Sequence, residues 1–206
     1  DPPRTDKRGR KAWPWGFPRS ALVTTDKLVF AVLTPNGPLV ALDAVSGKTV
    51  REYKANESPR IVVHYRGTLV LVSKRSISVL DAGSGKELWA APGTVIDVVV
   101  AEDKVFYQPG WGNFACKNLK TGADVWRIDT RSWAKGRSNL LFHRDGRLFL
   151  GASLGHAKPA LVHALSAKDG KRLWSYPEYR GIHGAGNVYF AAGPVCLRSN
   201  GGRDPD

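Results

Sequence analysis

Val79-Leu80-Asp81-Ala82-Gly83-Ser84-Gly85-Lys86-Glu87-Leu88-Trp89 carries the clearest structural signal in the chain, a strand, a tight turn and a second strand. The stretch opens on β-forming residues, and Asp81 can accept hydrogen bonds from backbone N–H groups a few residues on. Gly85 supplies a positive φ at no steric cost. Trp89 is the side chain large enough to hold this hairpin against a neighbouring element. The stretch therefore predicts a β-hairpin with an aromatic anchor.

Versions of this hairpin recur along the whole chain. The residue four positions after the turn glycine is tryptophan in every copy except one, where it is Arg51. We predict that the tryptophans pack one repeat against the next and that the strand of Arg51 packs more loosely, with Tyr53 as the substitute aromatic. The predicted structural positions are the tryptophans Trp13, Trp89, Trp126 and Trp174 and the turn glycines Gly47, Gly85, Gly122 and Gly170.

A second signature, an apolar run, a polar turn and another apolar run, precedes each hairpin. These signatures start 41, 36, 43 and 40 residues apart, so each repeat holds four short strands. That period predicts an all-β fold, a β-propeller of four-stranded antiparallel blades with four complete blades and a split or partial fifth. The predicted limits are 1–19 for the last strand of a blade, 20–54, 55–92, 93–129 and 130–177 for complete blades, and 178–206 for a partial blade. Residues 1–206 form either one closed propeller domain or a fragment of a larger ring.

The repeat resembles the PQQ-type (quinoprotein-like) β-propeller repeat, most closely at residues 40–48 and in the opening stretch. Such blades occur in quinoprotein dehydrogenases, in the propeller lipoprotein of the outer-membrane β-barrel assembly machinery, and in extracytoplasmic sensor or adhesion domains. The resemblance implies a periplasmic or otherwise extracytoplasmic location. Bound PQQ is implied by the resemblance alone, and we expect no cofactor. The adjacent cysteine pair of many quinoprotein dehydrogenases has no counterpart here.

The chain is strongly basic, with 31 Lys and Arg against 18 Asp and Glu. This charge suits an acidic partner such as nucleic acid, an acidic glycan or a membrane surface, but a solvated basic surface is the favoured explanation. Residues 117–147 hold eight basic residues around a tryptophan outside the repeat positions, so they are a candidate partner surface. That surface comprises Trp133, Lys135, Arg137 and His156. No apolar run reaches the length of a membrane-spanning helix.

Three histidines occupy the same position of the repeat, three residues before its polar turn. The other two repeats have Val23 and Val100 at that position. The three histidines are His64, His143 and His183. Imidazoles converging on a propeller axis are weak candidates for a metal site, and the alternative is a half-buried position facing the next blade. Cys116 and Cys196 are read as small buried side chains rather than a disulfide.

The sequence therefore favours a non-enzymatic binding or scaffold propeller that presents loops to a protein partner. The turn aspartates Asp43 and Asp81 are interpreted as turn caps, and no catalytic residue is assigned. Two alternatives stay open. The chain is a fragment of a PQQ-dependent quinoprotein oxidoreductase with an incomplete cofactor site, or it binds an acidic ligand through basic loops, with nucleic acid the less favoured ligand.

Overall fold

The computed structural model describes residues 22–34, 36–53, 57–134, 137–153, 161–177, 189–192 and 195–198. These residues form eighteen β-strands and no α-helix, which confirms the predicted all-β class. Accordingly, no helix in this part of the chain has the length and hydropathy to cross a membrane. Residues 1–19, the predicted last strand of a blade, lie outside the described residues.

The strands form four antiparallel sheets of four strands, each built from strands consecutive in the chain. The first sheet holds β1 (Leu22–Thr24), β2 (Leu28–Val32), β3 (Leu39–Asp43) and β4 (Thr49–Tyr53). The second holds β5 (Ile61–Tyr65), β6 (Thr68–Val72), β7 (Ser76–Asp81) and β8 (Glu87–Pro92). The third holds β9 (Val98–Ala101), β10 (Lys104–Gly110), β11 (Asn113–Asn118) and β12 (Asp124–Asp129). The fourth holds β13 (Arg137–Arg144), β14 (Arg147–Ser153), β15 (Leu161–Ser166) and β16 (Arg172–Pro177), and β17 (Tyr189–Ala192) pairs with β18 (Val195–Arg198).

The chain divides into two compact units, each with its own core. The first unit comprises Asp1–Val95 with Lys120–Gly122, and the second comprises Ile96–Leu119 with Ala123–Asp206. Phe30 and Leu69 are fully buried in the first core, and Phe106 and Leu148 are fully buried in the second. Each such side chain stabilises its unit by about 1.5–3 kcal/mol relative to exposure.

The turn between the third and fourth strands follows the predicted chemistry. Oδ1 of Asp81 accepts hydrogen bonds from the backbone N and the Oγ of Ser84, both at 2.7 Å. Gly85 then takes a φ of +75°. The hydrogen bonds from Ser84 are the main reason that the pKa of Asp81 lies below its usual value. Asp43 makes the equivalent bonds to Ser46, so both aspartates are turn caps, as predicted.

Strand pairing places the residue four positions after each turn glycine opposite a small buried residue. Trp126 pairs with Cys116 and Trp89 pairs with Val79, and a register shift follows each pair. Cys116 is a free thiol with no exposed surface, and burial raises its pKa to about 12. The prediction of a small buried side chain is confirmed for Cys116, and the side chain of Cys196 lies outside the described residues.

One predicted register is wrong by a residue. In the second sheet His64 pairs with Leu69, which stands one residue after the start of β6. In the first sheet the residue one after the start of β2 is Val29, and its partner is Thr24. Thr24, rather than Val23, therefore occupies the position of His64. The sequence alignment failed here because β2 begins one residue later relative to its turn than the polar signature suggests.

Candidate partner-binding surface

In the first unit, the aromatic that anchors the first sheet to the second is Tyr53. Its ring is 1% exposed, and its hydroxyl donates a 2.6 Å hydrogen bond to the carbonyl oxygen of Ala82. Arg51 instead lies beside Gly85 and donates from Nη1 to the carbonyl oxygen of Ser84 at 2.9 Å. The substitution of Tyr53 for the missing tryptophan is thus confirmed. The expected loosening is wrong, since Tyr53 is better buried than Trp126, which is 9% exposed.

Two tryptophans cover turn glycines in the same way. Within the first unit Trp89 lies so close to Gly122 that a Cβ built on the glycine would be 2.7 Å from the indole Cγ. Within the second unit Trp126 covers Gly170, with 3.0 Å from such a Cβ to Cε3, and its Nε1 donates to the carbonyl oxygen of Ala167 at 3.1 Å. Glycine at these turns therefore provides space for a ring as well as a positive φ.

The remaining predicted anchors lie at the limits of the described chain. Trp174 is 45% exposed and makes an edge contact with Phe149, with ring centroids 5.9 Å apart. Gly47 adopts the expected positive φ, but no described atom lies within 4 Å of a Cβ built there. Trp13 lies outside the described residues.

The described histidines of the shared register pack against phenylalanines of the preceding sheet. His64 stacks on Phe30 with ring centroids 5.6 Å apart, and His143 stacks on Phe106 at 5.8 Å. Nε2 of His143 also lies 3.3 Å from Oε1 of Glu102, without hydrogen-bond geometry. This is the environment of a half-buried position facing a neighbouring blade. His183 is outside the described residues, and the described residues contain no group of three or more His, Cys, Asp or Glu able to hold a metal.

Trp133, the aromatic of the predicted partner surface, is half-buried. Its indole meets the ring of His163 edge-on at 5.1 Å, and the guanidinium of Arg172 lies 5.0 Å from its centroid. His163 is itself 1% exposed and shares a 2.8 Å hydrogen bond between Nδ1 and the Oγ of Ser175. Burial lowers the pKa of His163. The side chains of Lys135, Arg137 and His156 lie outside the described residues, so this surface stays a prediction.

The exposed aromatic that sequence reasoning missed is Trp111, at the tip of the β10–β11 hairpin. It is 47% exposed, although a large aromatic side chain at a hairpin tip gains nothing from contact with water. The sequence contains one sign of this exposure, because Trp111 stands between two glycines, Gly110 and Gly112. The equivalent β6–β7 hairpin has only polar residues at its tip, at positions 73–75. Trp111 is outside the repeat positions, so the repeat does not explain it.

The hairpin tip is fixed from below by the segment that follows β12. The carbonyl oxygen of Gly112 accepts from the backbone N of Thr130 at 2.7 Å and from its Oγ1 at 3.1 Å, and Thr130 is fully buried. Nδ2 of Asn113 donates to the carbonyl oxygen of Trp111 at 3.3 Å. Gly112 has a φ of +74°, and the stem of Arg131 lies directly over it. The backbone of the tip is therefore tied to the segment that follows β12.

Two arginines extend this surface from β12 and the segment after it. Nε of Arg131 donates to both carboxylate oxygens of Asp129 at 3.0 Å, and these bonds hold the pKa of Asp129 at about 2. Arg127 donates from Nη2 to the hydroxyl of Tyr107 at 3.1 Å. Both guanidinium groups are exposed. We call Trp111, Arg127, Asp129 and Arg131 the tip surface.

A groove of about 410 Å³ runs beside the tip surface within the second unit. Its walls come from β10, β11 and β12, and they combine apolar side chains with the polar groups of the tip surface. The lining residues are Pro109, Asn113, Phe114, Ala115, Arg127, Ile128 and Asp129. The exposed lining of the groove is more polar than apolar, so the groove offers a partner mainly hydrogen-bonding groups.

Comparison with known proteins places the architecture in a family. The family described as outer membrane protein assembly factor BamB matches residues 4–95 and 73–193. A comparison with curated proteins returns no match.

Three solved structures are similar in fold. The computationally designed Ika8 protein is 12% identical, with a TM-score of 0.64 over 82% of this chain and 52% of Ika8. BamB from Moraxella catarrhalis is 16% identical, with a TM-score of 0.58 over 82% of this chain and 54% of BamB. Hsv2 from Kluyveromyces marxianus is 13% identical, with a TM-score of 0.63 over 77% of this chain and 48% of Hsv2.

The chain thus spans about half the length of these structures. BamB and Hsv2 are β-propellers, and at these identities the likeness shows the fold alone. It confirms that the four-stranded antiparallel sheets are propeller blades. Because the family match extends over most of the sequence, the chain belongs to the BamB family of PQQ-type β-propellers.

Proposed function

We propose that this chain is a non-enzymatic scaffold propeller that binds a protein partner through the tip surface. The observation that carries the proposal is an exposed tryptophan, Trp111, on a hairpin tip whose backbone is hydrogen-bonded to Thr130, with the exposed Arg131 over the adjacent Gly112. Tryptophan and arginine are the residues most enriched among the few that dominate protein–protein binding energy. A surface fixed in advance also binds with a smaller loss of conformational entropy.

The exposed area of Trp111 determines how much its side chain can contribute to the free energy of binding. Burying the exposed half of an indole against a partner removes about 100 Å² of mostly apolar surface from water, which is worth about 3 kcal/mol. That corresponds to roughly a hundredfold in affinity. The guanidinium groups of Arg127 and Arg131 are already oriented by Tyr107 and Asp129, so they can add polar contacts to a partner at little further entropic cost.

Membership of the BamB family supplies the biological setting of the proposal. The family description supports a role in outer membrane protein assembly and an extracytoplasmic location for this chain. The partner is then a protein of the cell envelope that takes part in the same assembly. Membership of this family supports binding to such a protein.

Site-specific photocrosslinking in the source cell tests the proposal. Benzoylphenylalanine at the position of Trp111 should give one crosslinked product, identified by mass spectrometry as an envelope protein of outer membrane assembly. The control is Val50 on β4, which is 59% exposed and belongs to the first unit. Substituting Arg131→Ala in the crosslinking protein should weaken the product.

Two results would contradict the proposal. One is the absence of any product from the position of Trp111 while the protein is folded and abundant. The other is the same product at the same yield from the position of Val50, since that would indicate random collisions rather than a defined surface.

A further inference from the structure

The turn that binds the hairpin tip packs in its own right on a buried histidine. In this turn the backbone N atoms of Trp133 and Ala134 both donate to the carbonyl oxygen of Thr130, at 3.0 Å and 2.6 Å. Thr130 also donates to the carbonyl oxygen of Gly112 in the tip. The indole of Trp133 packs against the core of the second unit and meets the ring of His163. Because one short turn contains both Thr130 and Trp133, displacing the indole would also displace the contact with the tip.

His163 lies in surroundings that suit the neutral imidazole. Its side chain is fully buried, and its Nδ1 is occupied by the hydrogen bond with the Oγ of Ser175. Its Nε2 is buried as well, and no hydrogen-bond partner reaches it from the described residues. A protonated imidazole carries an N–H donor on both nitrogens. Protonation of His163 would therefore bury a cationic donor without an acceptor, which is costly.

The charged groups on the elements around His163 do not compensate such a cation. β14 faces it with an apolar side chain. β16 contributes Arg172, whose guanidinium lies 5.0 Å from the centroid of the Trp133 ring that His163 contacts. On the segment that leads to Trp133, the carboxylate of Asp129 is already bound by Arg131. Burial, and next the positive charge of Arg172, accordingly lower the pKa of His163.

We propose that His163 is a pH-sensitive switch that controls the turn from Thr130 to Ala134 and, through it, the tip surface. While His163 is neutral, Trp133 stays packed and Thr130 binds the tip. When His163 takes up a proton, Trp133 leaves, water reaches Nε2, and Thr130 releases the tip. The switch rests on the proposed function in one respect, which is that the tip surface binds the partner.

The direction of the pH effect follows from proton linkage. The closed turn holds the His163 proton less tightly than the open turn does, since only the open turn exposes Nε2 to water. Opening is therefore favoured as the pH falls below about 6.5, the ordinary pKa of histidine. Between about pH 7.5 and about pH 5.5 the opening equilibrium constant should rise by up to roughly tenfold, the limit for an imidazole that stays neutral in the closed turn.

Hydrogen exchange of the full chain without a partner measures this opening. After correction for the intrinsic exchange rate, the peptide covering residues 127–134 should show the rise in wild type. His163→Gln, which does not titrate, should abolish it. The matched control is His143→Gln, because Nε2 of His143 is also buried in the second unit but lies beside Glu102. That variant should keep the full rise.

Three results would overturn the switch. They are no rise in wild type, a rise that persists in His163→Gln, and a rise that is lost equally in His143→Gln. If His163→Gln does not fold, Arg172→Gln removes the exposed cation beside Trp133. It should make the rise smaller, because His163 is then protonated more readily in the closed turn, and an unchanged rise would refute the assignment.

Photocrosslinking from the position of Trp111 at the two pH values separates the switch from the proposed function. The yield should fall severalfold at the lower pH in the parent protein and stay constant with His163→Gln. A yield that is constant in both, beside a normal rise in exchange, would overturn control of the tip surface by His163. Absence of product at both pH values, beside the same rise, would contradict partner binding and support the switch alone.

Discussion

Moving the aromatic anchor of β4 by two residues should leave the protein nearly as stable as wild type, although each half of the change is destabilising. By strand register, Arg51 and Tyr53 of the first sheet correspond to Trp126 and Ile128 of the third. The change is therefore Arg51→Trp combined with Tyr53→Ile. It replaces a tyrosine that reaches the carbonyl oxygen of Ala82 with a tryptophan that reaches the same acceptor.

The magnitudes follow from the contacts. Tyr53→Ile alone leaves the carbonyl oxygen of Ala82 without its 2.6 Å hydrogen bond and removes part of a fully buried ring, at a cost of about 2–4 kcal/mol. Arg51→Trp alone places an indole beside Gly85, where the ring of Tyr53 already lies 3.6 Å from a Cβ built on that glycine, and this costs about 1–3 kcal/mol by overpacking. If the sites were independent, the double variant would lose about 3–7 kcal/mol.

We expect the double variant to lose less than about 1 kcal/mol, a coupling of at least about 2 kcal/mol. Urea denaturation of the four proteins, followed by far-ultraviolet circular dichroism, measures it. The reciprocal exchange in the second unit, Trp126→Arg with Ile128→Tyr, is the matched control and should show coupling of the same sign. Additive costs in the first unit would refute the claim that the two positions are alternative sources of one anchor.

Three further predictions concern individual side chains. Gly122→Ala should destabilise the protein by about 1–3 kcal/mol more than Gly146→Ala in urea titrations, since both glycines have a φ of +69° but only Gly122 lies against Trp89; equal costs would exclude the close contact. Because burial raises the pKa of Cys116 to about 12, iodoacetamide at about pH 8 should leave it unlabelled in the folded protein and label it in urea, as read by peptide mass mapping; labelling of the folded protein would contradict its burial. Burial raises the pKa of Asp97 to about 6 from an ordinary 3.8, so the folded state holds the proton more tightly and stability should fall as the pH rises from about 4 to about 7; Asp97→Asn should abolish that fall, of up to about 3 kcal/mol, and an unchanged pH profile would place the effect elsewhere.

The parts of the fold that depend on neighbours in the sequence were predictable from it. The Asp81 cap, the positive φ of Gly85 and the recurrence of the hairpin all follow from local hydrogen bonding and backbone sterics. The choice of Tyr53 as substitute anchor was also predictable, because comparison of repeats exposes the one position where tryptophan is lost. Its tight burial was not, since the sequence does not show that its hydroxyl reaches the carbonyl of Ala82.

Most residues of the candidate site could not be predicted from the sequence in this way. Trp133 was selected because it lies outside the repeat, yet the fold packs it between His163 and Arg172. Trp111 was overlooked, although the fold leaves it exposed at a hairpin tip clamped by Thr130. Whether an aromatic outside the repeat is buried depends on segments that are distant along the chain, and a periodic pattern contains no information on them.

The sequence alone determined the repeating unit, because a four-stranded blade is specified by alternating strands and turn residues that act over a few positions. The tertiary structure decided how each blade is anchored and which side chains remain available to a partner. These outcomes depend on whether a donor such as Tyr53 or Trp126 reaches a carbonyl on the next sheet. They depend equally on whether a hairpin tip such as that of Trp111 lies away from the core. Anchoring and exposure are both set by distances between residues far apart in the chain, and sequence spacing does not determine those distances.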